Sequence, residues 1–222
     1  DLVRSRGLGD VYKRQVEEGR GIFQNIKKAV HFLLSCNIGE IMTIFVAILL
    51  GKASPLLPVQ LLFINLVTDS FPAICLGLEP PERDIMKKPP VCAAKGLFGG
   101  GGMFTIIVEG MFIGSLALFA YMLGGDQSGS TMCFAVLSLS QLIHSLNMRS
   151  SSSLFQIGFF SNKKLLFSVL LCIALQCAVI TLPALQIIFK TTSLTNIQWF
   201  MVAVLALLPL SLIHISEPTR PY

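Results

Sequence analysis

The sequence predicts an all-α, polytopic membrane bundle with six transmembrane helices. Hydrophobic residues make up 53% of the 222 residues, charged residues only 13%, and mean hydropathy is +0.72. That leaves too little polar surface to keep a soluble domain of this size dissolved. Apolar stretches of about 20 residues, enough to cross a bilayer core, recur at about 29–50, 58–78, 103–123, 131–148, 165–182 and from 197 onward. Alternation at period 2 is absent, which argues against a β-barrel.

Taken in order, the first span follows Arg20, Lys27 and Lys28 and contains Asn37 and Glu40. The short loop "KASPLLPVQ" joins it to the second span, so the two are expected to be antiparallel neighbours. The second span holds Asn65, Thr68, Asp69 and Pro72. The segment "EPPERDIMKKPPVCAAKGLFGGGG" then forms a polar, Pro-rich loop that ends in glycines. No GKS or GKT follows those glycines and no strand precedes them, so they read as a flexible approach to the next span rather than a phosphate loop. In the third span, Gly110 and Gly114 form a GxxxG, which predicts a close helix contact. Glu109 beside them is expected to reach the headgroups or pair with a neighbour. The fourth span carries Gln141 and His144, the latter expected to be a packed polar histidine. The fifth follows Arg149, Lys163 and Lys164, and the sixth is cut short.

Lys and Arg orient these spans. Ten of them lie before the first span, in the loop at 79–100 or in the loop at 149–164, against Lys52 and Lys190 on the other side. The basic side is therefore the cytoplasmic one. The net charge of +5 is explained by such loops and calls for no nucleic acid partner. The six cysteines are scattered without CxxC spacing and read as small buried hydrophobes.

The two ends read as foreign. "DVYKRQ", back-translated as gat gtg tat aag aga cag, has a reverse complement that encodes "LSLIHI", and "SEPTR" follows the latter. Such an inverted repeat resembles sequencing-adapter read-through, to be set aside before fold reasoning. Residues 1–15 and 210–222 are accordingly expected to be artefact, 16–209 to be the membrane domain, and the coding sequence to be cut on both sides.

Polar groups inside the first two spans point to function. Asn37 and Glu40 are three residues apart, and Asn65, Thr68 and Asp69 are three and four apart, so each set shares a helix face. Both sets lie near mid-span on neighbouring helices. An ionisable group at that depth costs about 3 kcal/mol even on the lenient insertion scale and marks ion or proton paths. Carboxylates, amide carbonyls and a hydroxyl are hard donors suited to Ca²⁺, Mg²⁺, Mn²⁺, Na⁺ or K⁺. Pro72 is expected to loosen the helix beside Asp69 and free backbone carbonyls to line the site.

"GRGIFQNIKKAVHFLLSCNIGEI", "PVQLLFINLVTDSFPAICLGLEPPERDIMKKPP" and "QIIFKTTSLTNIQWFMVAVLALLP" closely resemble the C-terminal membrane half of calcium-transporting P-type ATPases, bacterial and sarcoplasmic-reticulum-like. The resemblance covers essentially all of 16–209. It implies helices five to ten of a ten-helix domain and Ca²⁺ as the transported ion. Asn65 and Asp69 would be ligands of one site, shared with a helix-four glutamate absent here; Asn37, Glu40 and Thr68 would match a second. Gln141 stands where the family carries a further glutamate, which weakens that second site and implies one Ca²⁺ per cycle with proton countertransport. Glu79, Glu82, Arg83 and Asp84 would belong to a loop that contacts the phosphorylation domain.

No DKTGT motif occurs in this chain. Catalytic residues, ATP and Mg²⁺ are therefore expected only in upstream actuator, phosphorylation and nucleotide domains, and this part alone should be inactive. The expected partners are the lipid bilayer and that missing N-terminal half, with the bacterial plasma membrane as location. Two alternatives stand beside this reading: the same fold moving Mn²⁺ or Na⁺, and a cation exchanger or channel without its own motor.

Overall fold

The computed structural model describes residues 2–80, 85–87, 89, 101–149 and 162–210, with side chains from residue 9 onward. Glu82, Arg83, Asp84 and Cys92 lie outside the described residues. Among the described residues all regular structure is helical. Helix α1 runs Leu2–Leu49, α2 Pro58–Phe63, a π-helical segment Ile64–Asp69, α3 Ser70–Gly77 and α4 Gly102–Asn147. Then come α5 Lys163–Thr181, α6 Pro183–Phe189 and α7 Asn196–Leu207. Four helical stretches are long and apolar enough to cross a membrane: Gly9–Leu49, Pro58–Gly77, Gly102–Asn147 and Lys163–Thr181. Helix α7, with 12 residues, is shorter.

The first span was expected to begin near residue 29, yet α1 starts far earlier. Its residues 9–15 are all exposed, so local helix propensity and pairs such as Arg14–Glu18, at 3.3 Å, sustain it there. The third and fourth expected spans form one helix with a break at Gly125 (φ 59°, ψ −157°), a conformation essentially closed to any residue with a Cβ. The two arms fold back on each other. Ile113 and Ala117 of the first arm share a cluster with Phe134 and Leu137 of the second, and a Cβ on Gly129 would lie 2.5 Å from the Tyr121 carbonyl. At 1.5 Å per residue, each arm is about 30 Å long.

Side-chain contacts fix the relative directions. Asn25 of α1 bonds the Gly77 carbonyl, whereas Glu40 meets Asn65, so α1 and the α2–α3 stretch are antiparallel, as the short loop predicts. Cys75 donates to the Lys164 carbonyl and Cys172 to that of Val67; α5 therefore runs antiparallel to α2–α3. The first arm of α4 lies parallel to α1 through the GxxxG, whose partner is Gly39. A Cβ on Gly110 would sit 2.6 Å from the Ser35 carbonyl oxygen, and one on Gly114 2.7 Å from that of Gly39. These missing side chains let the two backbones touch.

The two ends of the bundle differ in charge. One end gathers Arg20, which donates to the Ile85 carbonyl, Lys28, which donates to that of Arg149, and the Arg149–Glu79 pair at 3.1 Å. Lys163 and Lys164 open α5 at the same end. At the other end Tyr121 bonds the Ala53 carbonyl, Gln60 that of Phe189, and Thr192 bonds Thr131. Helix α7 starts at that second end, where Gln198 donates to Ser128, and the chain reaches the basic end at Pro209, whose carbonyl accepts from Asn147. The charge bias read from the sequence thus corresponds to one physical end of the molecule.

Candidate functional site

Glu40 and Asp69, the two acids of the first two spans, lie where α1, the π segment and the second arm of α4 converge. The π segment spans Asn65–Asp69 itself. A π turn holds about 4.4 residues, so Asn65 and Asp69 stay on nearly one face while Thr68 rotates away. Burial does not divide along that face: Thr68 and Asp69 are fully buried, whereas Asn65 is exposed. The wider turn pairs each carbonyl with the fifth residue onward, and for Val67 that residue is Pro72, which has no N–H. The Cys172 thiol donates to the Val67 carbonyl instead, at 3.5 Å. Ser70 Oγ closes the same segment by donating to the Asn65 carbonyl at 2.8 Å. The loosening expected from Pro72 takes the form of this π segment.

Glu40, 5% exposed, accepts from Asn65 Nδ2 at 3.0 Å through Oε2, while its Oε1 has no hydrogen-bond partner. Asn65 Nδ2 also donates to the Leu61 carbonyl, so both bonds use the amide nitrogen and leave Oδ1 available. Gln141, fully buried on the second arm of α4, lies beside Glu40. Its Nε2 donates to the Cys36 carbonyl at 3.3 Å, and its Oε1 has no partner. Neither oxygen of the fully buried Asp69 meets a donor in bonding geometry, although the Cys36 thiol lies beside it. Two carboxylates and an amide thus bury four acceptor oxygens that have no donor in full bonding geometry, only the Gln141 amide beside Glu40 and the Cys36 thiol beside Asp69. Such an arrangement is costly unless something positive joins them.

Not every expected residue converges here. Asn37 is exposed and donates to the Leu33 carbonyl of its own helix at 2.7 Å. Thr68 Oγ1 likewise donates within its helix, to Ile64 at 2.9 Å. No group of three or more His, Cys, Asp and Glu able to hold a metal ion occurs among the described residues; the donors are mostly carboxylate and amide oxygens. Sequence pattern alone does not single out Cys36, which lies against Asp69 and Gln141, or Ser35, which meets His144. Their small polar side chains beside Asn37, inside an apolar run, are the signal that could have found them.

The partner of Glu109, which the sequence does not specify, is a histidine. Glu109 pairs with His31 of α1 at 2.6 Å, and the same oxygen lies 3.6 Å from His144. His144 is packed and polar, as expected, with its Nε2 2.9 Å from Ser35 Oγ.

Membrane-length helices that bury carboxylates facing one another define the class: the membrane domain of a cation transporter. Residues 53–217 match the family described as "Cation transporting ATPase, C-terminus", and the chain belongs to that family of P-type ATPase membrane domains. The match runs into the stretch expected to be adapter. The chain is 44% identical over 219 residues to "Calcium-transporting ATPase 1" of Bacillus cereus, covering 89% of this chain and 24% of that protein. It is 37% identical over 214 residues to "Calcium-transporting ATPase" of Bacillus subtilis, covering 94% of this chain and 24% of that protein. "Calcium-transporting ATPase 1" of Lactococcus lactis is 38% identical over 210 residues, with 92% and 24% covered. The chain spans about a quarter of the length of these relatives.

Proposed function

We propose that this chain is the ion-binding transmembrane half of an ATP-driven Ca²⁺ export pump in a bacterial plasma membrane. The observation that carries this reading is the set of donor-less buried oxygens, Glu40 Oε1, both of Asp69 and Oε1 of Gln141. Hard oxygen donors with two carboxylates balance the charge of one divalent cation. Asn65 adds Oδ1, and its exposed side, with Asn37, is where a helix of the missing half would close the site. Thr68 contributes through the π segment that positions Asp69 rather than through its hydroxyl.

Six crossings follow if the two arms of α4 count separately and α7, which runs from the second end toward the basic end, counts as one. They correspond to helices five to ten of a ten-helix domain, with actuator, phosphorylation and nucleotide domains supplied upstream. Gln141 is neutral where a third acid would support a second dication, so one Ca²⁺ moves per cycle, with protons returning on the emptied carboxylates. Phosphorylation upstream biases two helix arrangements that differ in affinity for the ion. Lacking DKTGT, this chain alone hydrolyses no ATP.

The test is transport by the intact pump in sealed vesicles, with Ca²⁺ moved per ATP as the readout. One ion per ATP, and loss of Ca²⁺-dependent phosphorylation in Asp69→Asn, support the reading. Equal phosphorylation without Ca²⁺ but with Mn²⁺ or Na⁺ would replace the cargo. Ion flux independent of ATP would overturn the pump in favour of an exchanger or channel.

A further inference from the structure

A second polar cluster lies beside the ion site, on the side of the basic end. Glu109, from the first arm of α4, accepts from His31 Nε2 at 2.6 Å and lies 3.6 Å from His144 Nε2 on the second arm. Ser35 Oγ is 2.9 Å from the same His144 nitrogen and also 2.8 Å from the Phe32 carbonyl. A hydroxyl that donates to the Phe32 or the His31 carbonyl can accept from His144 Nε2, so the site accommodates a proton on that nitrogen. The His31 and Glu109 side chains are each 15% exposed and that of His144 is 4% exposed. Two imidazoles and one carboxylate thus share a mostly dry interior, formed by three helical segments.

The cluster and the ion site rest on the same backbone. Ser35 and Cys36 are adjacent, and the first contacts His144 while the carbonyl of the second accepts from Gln141, one turn earlier on α4. The Cys36 thiol lies within electrostatic reach of Asp69, Glu40 and Glu109 together. Among the described residues, the charged and titratable groups around the cluster include Lys28, Cys36 and Glu40 on α1, Asp69 at the end of the π segment, Cys172 on α5, and Arg149 and Glu79 at the basic end.

We infer that the His31–Glu109–His144 cluster is a proton-holding site of the transport cycle, emptied when the cation binds. The inference rests on the proposed function above. With one imidazole protonated the cluster is neutral, the favoured state for a buried group of this composition. Once Glu40 and Asp69 have given up the protons they carry after cation release, the empty ion site places negative charge nearby and favours that proton. A dication cancels the field, and the proton leaves. One N–H bond breaks, the proton passes through His31 to water at the basic end, the cluster charge falls from zero to −1, and no electron moves. His31 lies nine residues before Glu40 on α1, about 13 Å nearer that end along the helix axis. Histidine is the side chain whose charge ordinarily changes between about pH 5 and 8. By linkage, cation affinity then rises with pH across that range.

The test uses the intact pump in proteoliposomes, measuring half-saturating Ca²⁺ for ATP hydrolysis from pH 6 to pH 8. In the unmodified pump the half-saturating concentration should fall about tenfold or more as pH rises. Glu109→Gln and His144→Asn should each flatten that slope by about one proton per Ca²⁺ while keeping ATP hydrolysis Ca²⁺-dependent. Unchanged slopes in both variants would overturn the inference and leave the pump reading intact. Loss of Ca²⁺ dependence in the unmodified pump would overturn the pump reading itself. Should Glu109→Gln fail to accumulate, His31→Gln combined with Glu109→Gln removes charge and counter-charge together and carries the same readout.

Discussion

Asn65 donates its amide N–H to Glu40 Oε2 at 3.0 Å, joining the π segment to α1 at the level of the buried carboxylates. The bond orients Glu40 and leaves Asn65 Oδ1 and Glu40 Oε1 as the two oxygens that the proposed site would offer a cation. Asn65→Ala should therefore weaken Ca²⁺ activation of the intact pump by about tenfold or more, the cost of one lost oxygen ligand and one lost charge-assisted bond. Ca²⁺ titration of phosphorylation checks this; an unchanged midpoint would remove Asn65 from the site.

Asp69 and Gln141 should respond differently. Asp69→Asn exchanges a carboxylate for a neutral amide and should abolish Ca²⁺-dependent phosphorylation by ATP. Gln141→Ala removes a neutral acceptor and should be mild, with activity retained. Full Ca²⁺ dependence in the Asp69 variant would sink the site assignment.

The α1–α4 crossing has no room for a side chain. Gly110→Val should destabilise the bundle by about 1–3 kcal/mol or more, because its Cβ would meet the Ser35 carbonyl oxygen, which cannot withdraw without moving the helix. Gly77→Ala, with nothing within 4 Å of the added Cβ, should be neutral. Thermal unfolding of the detergent-solubilised intact pump separates the two.

At the α4 break, Gly125 holds a φ of 59° and ψ of −157°, with open space where a Cβ would stand. Gly125→Ala should cost about 1–3 kcal/mol through backbone strain alone. A neutral effect on the melting temperature would mean that the reversal is made elsewhere in 124–129.

Helix α7 begins with a reciprocal cap: Thr195 Oγ1 accepts from the Gln198 N–H and Gln198 Oε1 accepts from the Thr195 N–H. Thr195→Ala should cost about 1 kcal/mol, and Thr195→Ser should restore most of it. Equal stability of all three would show that packing alone holds the start of α7.

Composition and spacing were enough to predict a helical membrane bundle, its antiparallel first pair, its basic end and the two acids buried in its first two spans, because bilayer thickness and helix period act on local sequence. Glu40, Asn65 and Asp69 stood out as candidate site residues for the same reason: a carboxylate in an apolar span has few inexpensive explanations. Tertiary structure decided the rest. Nothing in the sequence shows that Gly39 completes the GxxxG, since that needs the register between α1 and α4. The π winding turns Thr68 off the Asn65–Asp69 face, a rotation that ideal helix spacing does not contain. The meeting of Glu109 with His31 and His144, residues far apart in the chain, follows only once α4 has folded back at Gly125 and lain against α1. Short-range pattern fixes what each helix is; which buried polar groups meet depends on register and crossing, set by packing across the whole bundle.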